Sequence, residues 1–287
     1  MITYAVTGAT GGLGGSAVHA LIKRGVAAGD IVAVVRDQEK ARDLSAAGVS
    51  VRVADYGDRT ALAEAFAGVD RLLLVSSPTV GQRVPQHTNV IEAAATAGVG
   101  LIAYTSLLRA DSSPLALATE HVATEKLLAD SGIPFLLLRN GWYTENYLAS
   151  APAAIASGVL YGAAKDGKIA PAARADYAEA AAAALISGQT SGVFELAGAE
   201  HLTYAELAGV IAEISRKPVR YQDLPEADYA SALAQTGIPG PMAEILADSD
   251  AGVAVGALDA DTTDLADLLG RPATPVAEVV RAGLAAN

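Results

Sequence analysis

Six short apolar runs recur through the first half of the chain: ITYAVT (2–7), DIVAVV (30–35), VSVRVA (49–54), RLLLVSS (71–77), GLIAYTS (100–106) and PFLLLRN (134–140). Nearly continuous Val, Ile and Leu needs cover on both faces, which a parallel sheet between two helix layers supplies. The connections read as helices. Leu13, Ala17, Val18, Leu21 and Ile22 share one helical face, with Gly25 as a stop. Asp58 is placed to cap RTALAEAF, Pro85 to open a helix that ends by Gly98, and Gly132 to end the helix through Glu125 and Lys126. Strand and helix alternating in this way predict an α/β fold, a doubly wound parallel sheet of the Rossmann type.

The rhythm breaks after Asn140. Isolated strands, GVFELAG (192–198) and KPVRYQ (217–222), stand among helices, and Thr203 with Glu206 forms a T-x-x-E capping box. Further helices fit EADYASALAQ, MAEILA, TDLADLL and PVAEVVRAGL. We therefore expect a Rossmann core over 1–140 and a smaller mixed C-terminal substrate lobe over 141–287, with part of 141–200 returning to the core. At 287 residues the chain has room for both.

A net charge of −12 without any Lys/Arg run argues against nucleic acid as a partner. The lack of cysteine removes thiolate chemistry and Cys-based metal sites, and His19, His87, His121 and His201 have no metal-ligand spacing, so no metal is expected. The uncharged stretch from Asn146 to Lys165 is interrupted by Pro152, Gly158 and Gly162, which reads as buried or loop-rich chain rather than a membrane span. Met1 leads into a strand with no basic segment before it, and the expectation is a soluble, cytoplasmic protein.

Behind the first strand comes VTGATGGLGG (6–15), with glycine at 8, 11, 12, 14 and 15. A dinucleotide diphosphate needs backbone amides at a helix N-terminus and no Cβ in the way, which this strand, turn and helix context provides. The second strand ends in Arg36, where NAD-specific folds present an acid to the ribose 2′-hydroxyl. A guanidinium there suits a 2′-phosphate and favours NADPH over NADH; the alternative is an ordinary surface cation. Asp37 adjoins it and Lys40 follows one turn later. Asp55 and Tyr56 are placed to border the adenine, and Ser76 and Ser77 to lie near the nicotinamide half, although each also suits a cap or turn.

A short-chain dehydrogenase presents Tyr-x-x-x-Lys on the helix after its fifth strand, where lysine lowers the phenol's pKa. Here the pattern occurs only as YGAAK (161–165), beside Gly158 and KDGK, where helical geometry is not expected. On the expected helix Lys126 is present, but Val122 stands four residues before it. Lys126 then binds cofactor or polarises the acceptor, or is a solvated lysine paired with a nearby acid. Without a strong donor, a quinone is a better acceptor than an isolated ketone. Its product is phenol-like, with a pKa of about 10 by analogy with tyrosine, so weak proton donors suffice. Trp142, Tyr143 and Tyr147, after the sixth strand, could stack on a planar acceptor or pack the two lobes together.

The segments TGATGGLGG, VRDQEKA, ADYGD, SSPTVGQR, AYTSLLRADSSP, EHVATEKLLADSGIP, RNGWYTENYLASAP and YGAAKDGKIAPAARADYAEAA together resemble the bacterial type 2 NADPH:quinone oxidoreductases. These belong to the NmrA-like, atypical short-chain dehydrogenase group. The resemblance implies NADPH as cofactor and two-electron reduction of a small-molecule quinone to the hydroquinone. It puts the cofactor phosphates at Gly8, Thr10, Gly11, Gly12, Leu13 and Gly14 and the 2′-phosphate at Arg36. It puts the nicotinamide and the acceptor near Ser76, Ser77, Gln82, Arg83, Thr105, Lys126, Asn140, Gly141, Trp142 and Tyr143. Of these, Lys126, Asn140 and Tyr143 are the candidates for catalytic contact. Relatives often carry a polar residue such as Gln in place of Gly12, which bears on how cofactor and acceptor are held. Two rival readings stand beside this one: an NADP(H)-binding redox sensor without turnover, and a reductase of another conjugated planar acceptor such as a triphenylmethane dye.

Overall fold

In the computed structural model, which describes residues 1–285, the six apolar runs form strands β1 (Tyr4–Thr7), β2 (Ile31–Val35), β3 (Ser50–Val53), β4 (Arg71–Leu74), β5 (Leu101–Leu107) and β6 (Phe135–Asn140). The linking helices are α1 (Gly12–Lys23), α2 (Arg42–Ala46), α3 (Arg59–Ala65), α4 (Arg83–Ala97) and α5 (Ala118–Ser131). The rest of the chain adds α6 (Thr144–Leu148), α7 (Ala151–Ser157), β7 (Val159–Gly162), β8 (Lys168–Ile169), α8 (Arg174–Ile186), β9 (Gly192–Leu196), β10 (Leu202–Thr203) and α9 (Tyr204–Ser215). Then follow β11 (Arg220–Asp223), α10 (Glu226–Gln235), α11 (Gly240–Val253), α12 (Asp264–Leu269) and α13 (Val276–Ala285).

Seven strands make one parallel sheet in the order β3-β2-β1-β4-β5-β6-β9. The chain winds outward from β1 in one direction and from β4 in the other, so the switch point lies between these two strands, where doubly wound sheets hold ligands. Every residue of β2 and β5 is buried, which is why their sequences do not alternate. GVFELAG, read as an isolated strand, pairs with β6 as the seventh strand.

The helix ends follow the local signals. Asp58 accepts a hydrogen bond from the Ala61 amide at 3.0 Å, and Gly98 and Gly132 adopt left-handed conformations that close α4 and α5. Helix α4 begins two residues before Pro85, which sits in the first turn where its missing N–H costs nothing. The capping box of Thr203 and Glu206 is formed in both directions. The alanine-rich α8 is buried against α1 and the sheet; its Ala178 and Ala180 through Ala184 let the two helices lie close together.

The uncharged stretch from Asn146 to Lys165 is divided by Gly158 in the left-handed region between α7 and β7. Strand β7 pairs in parallel with β11. Among the described residues no helix is long and apolar enough to cross a membrane. Tyr161 lies in strand β7 and Lys165 beyond it with φ of 49°, so YGAAK does not present its two side chains on a helix. Two hydrophobic cores flank the sheet, and a further core joins Leu107, Tyr147, Leu148, Leu207, Ile211 and Val280 from the segments past its carboxyl edge.

Candidate active site

The chain leaves β1 at Thr7, turns through Gly8 at φ of 59°, and closes the turn with the Gly11 amide donating to the Gly8 carbonyl at 2.8 Å. Only glycine takes this conformation without strain. Helix α1 then starts at Gly12 with no side chain capping it and no acid in its first turn. The amides of Gly12, Leu13 and Gly14 precede the first intrahelical bond, Gly15 N–H to Gly11 O at 2.8 Å, and so point outward as donors at the positive end of the helix. A Cβ on Gly14 would fall on the Gly8 carbonyl, with its carbon 2.8 Å away and the Thr7 oxygen at 3.0 Å. This is the shape and donor set of an anion cradle.

The cradle opens into a cleft of about 370 Å³ along the carboxyl ends of β1 to β4, within the range of small-molecule sites. Gly8, Thr10, Gly11, Gly12, Leu13 and Gly14 form one wall; Arg36, Asp55 and Tyr56 line the far side; Ser76 and Ser77 close the end at β4. Several of these side chains also serve the local structure. Asp55 accepts from the Gly57 amide at 2.8 Å, and the Tyr56 hydroxyl donates to the Val75 carbonyl at 2.7 Å. Thr7 Oγ1 accepts from the Val75 amide at 3.0 Å and binds the end of β4 to that of β1.

Lys40, Pro78, Thr79 and Gln86 line the cleft as well. Gln82 and Arg83, expected beside the ligand, are not in the lining: Gln82 is exposed, and Arg83 is buried behind the wall. Its Nε donates to the Ser77 carbonyl at 2.9 Å and Nη1 lies 3.6 Å from Glu120. Gln86, one helical turn further along α4, is the side chain that reaches the cleft and bonds Ser77 Oγ. Thr105 stands one layer back, its Oγ1 accepting from the Ser76 amide at 2.8 Å.

The Ser77 amide donates to His87 Nε2 at 2.9 Å. The ring proton must then be on Nδ1, which donates to Thr124 Oγ1 at 2.9 Å, and the Thr124 hydroxyl in turn donates a hydrogen bond to the Glu120 carbonyl at 2.8 Å. Burial, reinforced by the Arg83 charge, pushes the His87 pKa down to about 3, so the neutral ring is the folded form. Between the unfolded pKa of about 6.5 and this value the unfolded chain binds the extra proton, so stability is full above 6.5 and falls as pH drops. At pH 5 this one group is expected to cost about 2 kcal/mol. Urea unfolding of the parent chain and of His87→Gln over pH 7 to 4 checks it: the parent should lose stability more steeply, and parallel curves would refute the assignment.

At the end of β6 the amide of Asn140 is buried with neither atom in hydrogen-bonding geometry to a partner, and the same holds for Thr144 Oγ1 and the hydroxyls of Tyr147 and Tyr177. Gly141 makes room, since a Cβ there would come within 3.0 Å of the Tyr177 hydroxyl. Tyr143 packs on Tyr177 with ring centres 5.3 Å apart, and burial pushes its pKa up against smaller lowering effects from Asn140 and Arg174. Trp142 packs partly, and Tyr147 fully, into the hydrophobic core past the sheet edge, Tyr147 edge-on to Tyr204. The structure does not bring Lys126 to the cleft: its side chain is 76% exposed on α5 and pairs with Asp130 at 3.2 Å. Val122, one turn earlier, is exposed too.

A glycine cradle at the switch point of a parallel sheet defines a Rossmann-type α/β protein with the geometry of a nucleotide site. The chain belongs to the NmrA-like family, whose model matches residues 2–254. It is 57% identical over 278 residues to quinone oxidoreductase 2 of Escherichia coli, covering 96% of each chain. The structure of the NADPH-dependent quinone oxidoreductase of E. coli in complex with NADPH superposes with a TM-score of 0.94 at 56% identity, over 97% of this chain and 98% of that one. Triphenylmethane reductase of Citrobacter sp., solved with NADP(H), matches with a TM-score of 0.93 at 36% identity, over 98% of this chain and all of the other.

Proposed function

We propose that this chain is an NADPH-dependent oxidoreductase that reduces a quinone to its hydroquinone. The observation that carries the reading is the uncapped glycine cradle with Arg36 and Lys40 on the same cleft, in a chain 57% identical to a quinone oxidoreductase. The residues fit the cofactor: amide donors and Cβ-free space for a diphosphate at one end, and two cations for a 2′-phosphate at the other. When bound, NADPH supplies the hydride that passes from its nicotinamide to the acceptor. In this reading Gly12, Leu13 and Gly14 hold the diphosphate, Tyr56 and Asp55 border the adenosine, and Ser76 and Ser77 border the nicotinamide half. Asn140, at the end of β6, is the amide assigned to the acceptor side. Tyr143, held as the neutral phenol by its burial, is a hydrogen-bond donor rather than a base. We assign Lys126 no contact with the reacting atoms.

The test is steady-state oxidation of NADPH and NADH with a benzoquinone, a naphthoquinone or a triphenylmethane dye. We expect quinone-dependent oxidation with NADPH preferred, and the dye arm separates the second reading, which the 36% identity to the Citrobacter enzyme favours. Arg36→Ala is expected to raise the NADPH KM about 10- to 100-fold, as for loss of a charge-assisted hydrogen bond, with little change for NADH. Tight NADPH binding without acceptor-dependent oxidation would leave a sensor, not an enzyme; an unchanged cofactor preference would remove Arg36 from the 2′-phosphate.

A further inference from the structure

Arg174 opens helix α8, and its side chain reaches back across the sheet edge to the phosphate turn. A Cβ on Gly12 would lie 3.1 Å from both Cδ and Nη1 of Arg174, so the guanidinium occupies the space that a side chain at position 12 would need. The plane is steadied from the other side by the ring of Tyr143, 5.1 Å below the guanidinium carbon. The Glu145 carboxylate is engaged elsewhere: it accepts from the Arg174 backbone amide at 2.9 and 3.0 Å and caps α8. Among the described residues no carboxylate lies within ion-pairing distance of the guanidinium. A half-buried arginine without an acid, held by a ring against the positive end of α1, is unfavourable unless an anion comes between them.

We propose that Arg174 is a ligand of the cofactor's diphosphate, reaching it through the opening left by glycine at position 12. This rests on the dinucleotide reading of the cleft and adds a contact from the second half of the chain to a motif otherwise built from the first. It gives Gly12 a role distinct from that of Gly14. Gly14 is required by the backbone it touches, whereas Gly12 leaves room for a movable guanidinium beside the turn. Closing the diphosphate between the α1 amides and a guanidinium of α8 also ties the cofactor to the helix that carries Tyr177, next to the unpaired polar groups at the end of β6.

The experiment measures Kd by calorimetry for NADPH, NADH and ADP-ribose with the parent chain, Arg174→Ala, Arg174→Lys and Gly12→Ala. All three ligands share the diphosphate, and they differ in the 2′-phosphate and the nicotinamide. Arg174→Ala should weaken all three alike, by about 10- to 100-fold, with Arg174→Lys in between. Gly12→Ala should weaken them in the parent and have little further effect when combined with Arg174→Ala. Unchanged affinities, a loss confined to NADPH, or a loss that spares ADP-ribose would each overturn the assignment. Thermal melts of the unliganded variants matching the parent would separate binding from packing, and a fall in melting temperature that accounts for the loss would count against it. Failure of the unaltered chain to bind any of the three would overturn the dinucleotide reading itself.

Discussion

Gly14→Ala should abolish nucleotide binding and destabilise the fold by about 3 kcal/mol, at the upper end of the usual cost of overpacking. The added carbon meets the backbone of Gly8 and the Thr7 carbonyl, 3.0 Å away, and neither is the movable end of a side chain. Relief requires α1 to shift away from β1, which moves the amides of Gly12, Leu13 and Gly14 off the position where a diphosphate would sit. Affinity for NADPH should therefore fall by more than 100-fold, beyond what loss of one charged contact produces. Two other glycines serve as controls. At Gly15 a Cβ would stand 3.2 Å from the Ala9 carbonyl, so alanine there should cost less. At Gly209, exposed within α9 and with nothing within 4 Å of a Cβ, alanine should stabilise by about 0.5–1 kcal/mol through helix propensity. Calorimetric titration and urea unfolding of the three variants check the order, and NADPH binding by Gly14→Ala within tenfold of the parent would refute the cradle.

The features that were legible in the sequence are those that local chemistry decides. Strands β1, β2, β4, β5 and β6 carried apolar runs because both faces are covered, and Asp58, Gly98, Gly132 and Thr203 act within a few residues of where they sit. The glycine turn was legible for the same reason, since its glycines are dictated by contacts between residues 7 and 15. What stayed hidden depends on long-range placement. Gln82, Arg83 and Gln86 are three polar residues of one helical stretch, and only the rotation of α4 against the sheet decides that Gln86 reaches the cleft while Arg83 turns behind it. Lys126 sits on the expected helix, but the face it presents leads to Asp130 and solvent. His87 shows no motif at all; its environment follows from Ser77 after β4 and from Glu120 and Thr124 on α5, two segments apart from its own helix. Arg174, far from the glycines in sequence, was likewise invisible beside them.

Arg139→Leu should destabilise the protein by about 3–5 kcal/mol, the cost of removing one partner from a buried ion pair. Arg139 is the residue before Asn140 in β6, and its guanidinium is fully occupied. Nε and Nη2 bind the two oxygens of Glu125 at 3.0 and 2.7 Å, while Nη1 is 2.9 Å from both Asp111 and Glu195. The three acids come from α5, the loop after β5 and β9, so this one cation fastens the three segments around the end of β6. Without it Glu125, only 11% exposed, retains the Ser106 hydroxyl at 2.6 Å and no charge of opposite sign. Glu195 would also lose the partner that orients it toward the Arg109 amide, where the backbone adopts a φ of 50°. Arg139→Lys keeps the charge but not the two-point contact and should recover only part of the loss. Removing the acid as well, in Arg139→Leu combined with Glu125→Leu, should recover more, because two apolar side chains leave no buried charge behind. Urea unfolding of the three variants reads the order directly. A loss below about 1 kcal/mol in Arg139→Leu, the range of exposed pairs, would show that the cluster is solvated in solution. The same variant should lower quinone turnover more than it weakens NADPH binding, because the strand end it loosens carries Asn140 while the glycine cradle stands three strands away on β1.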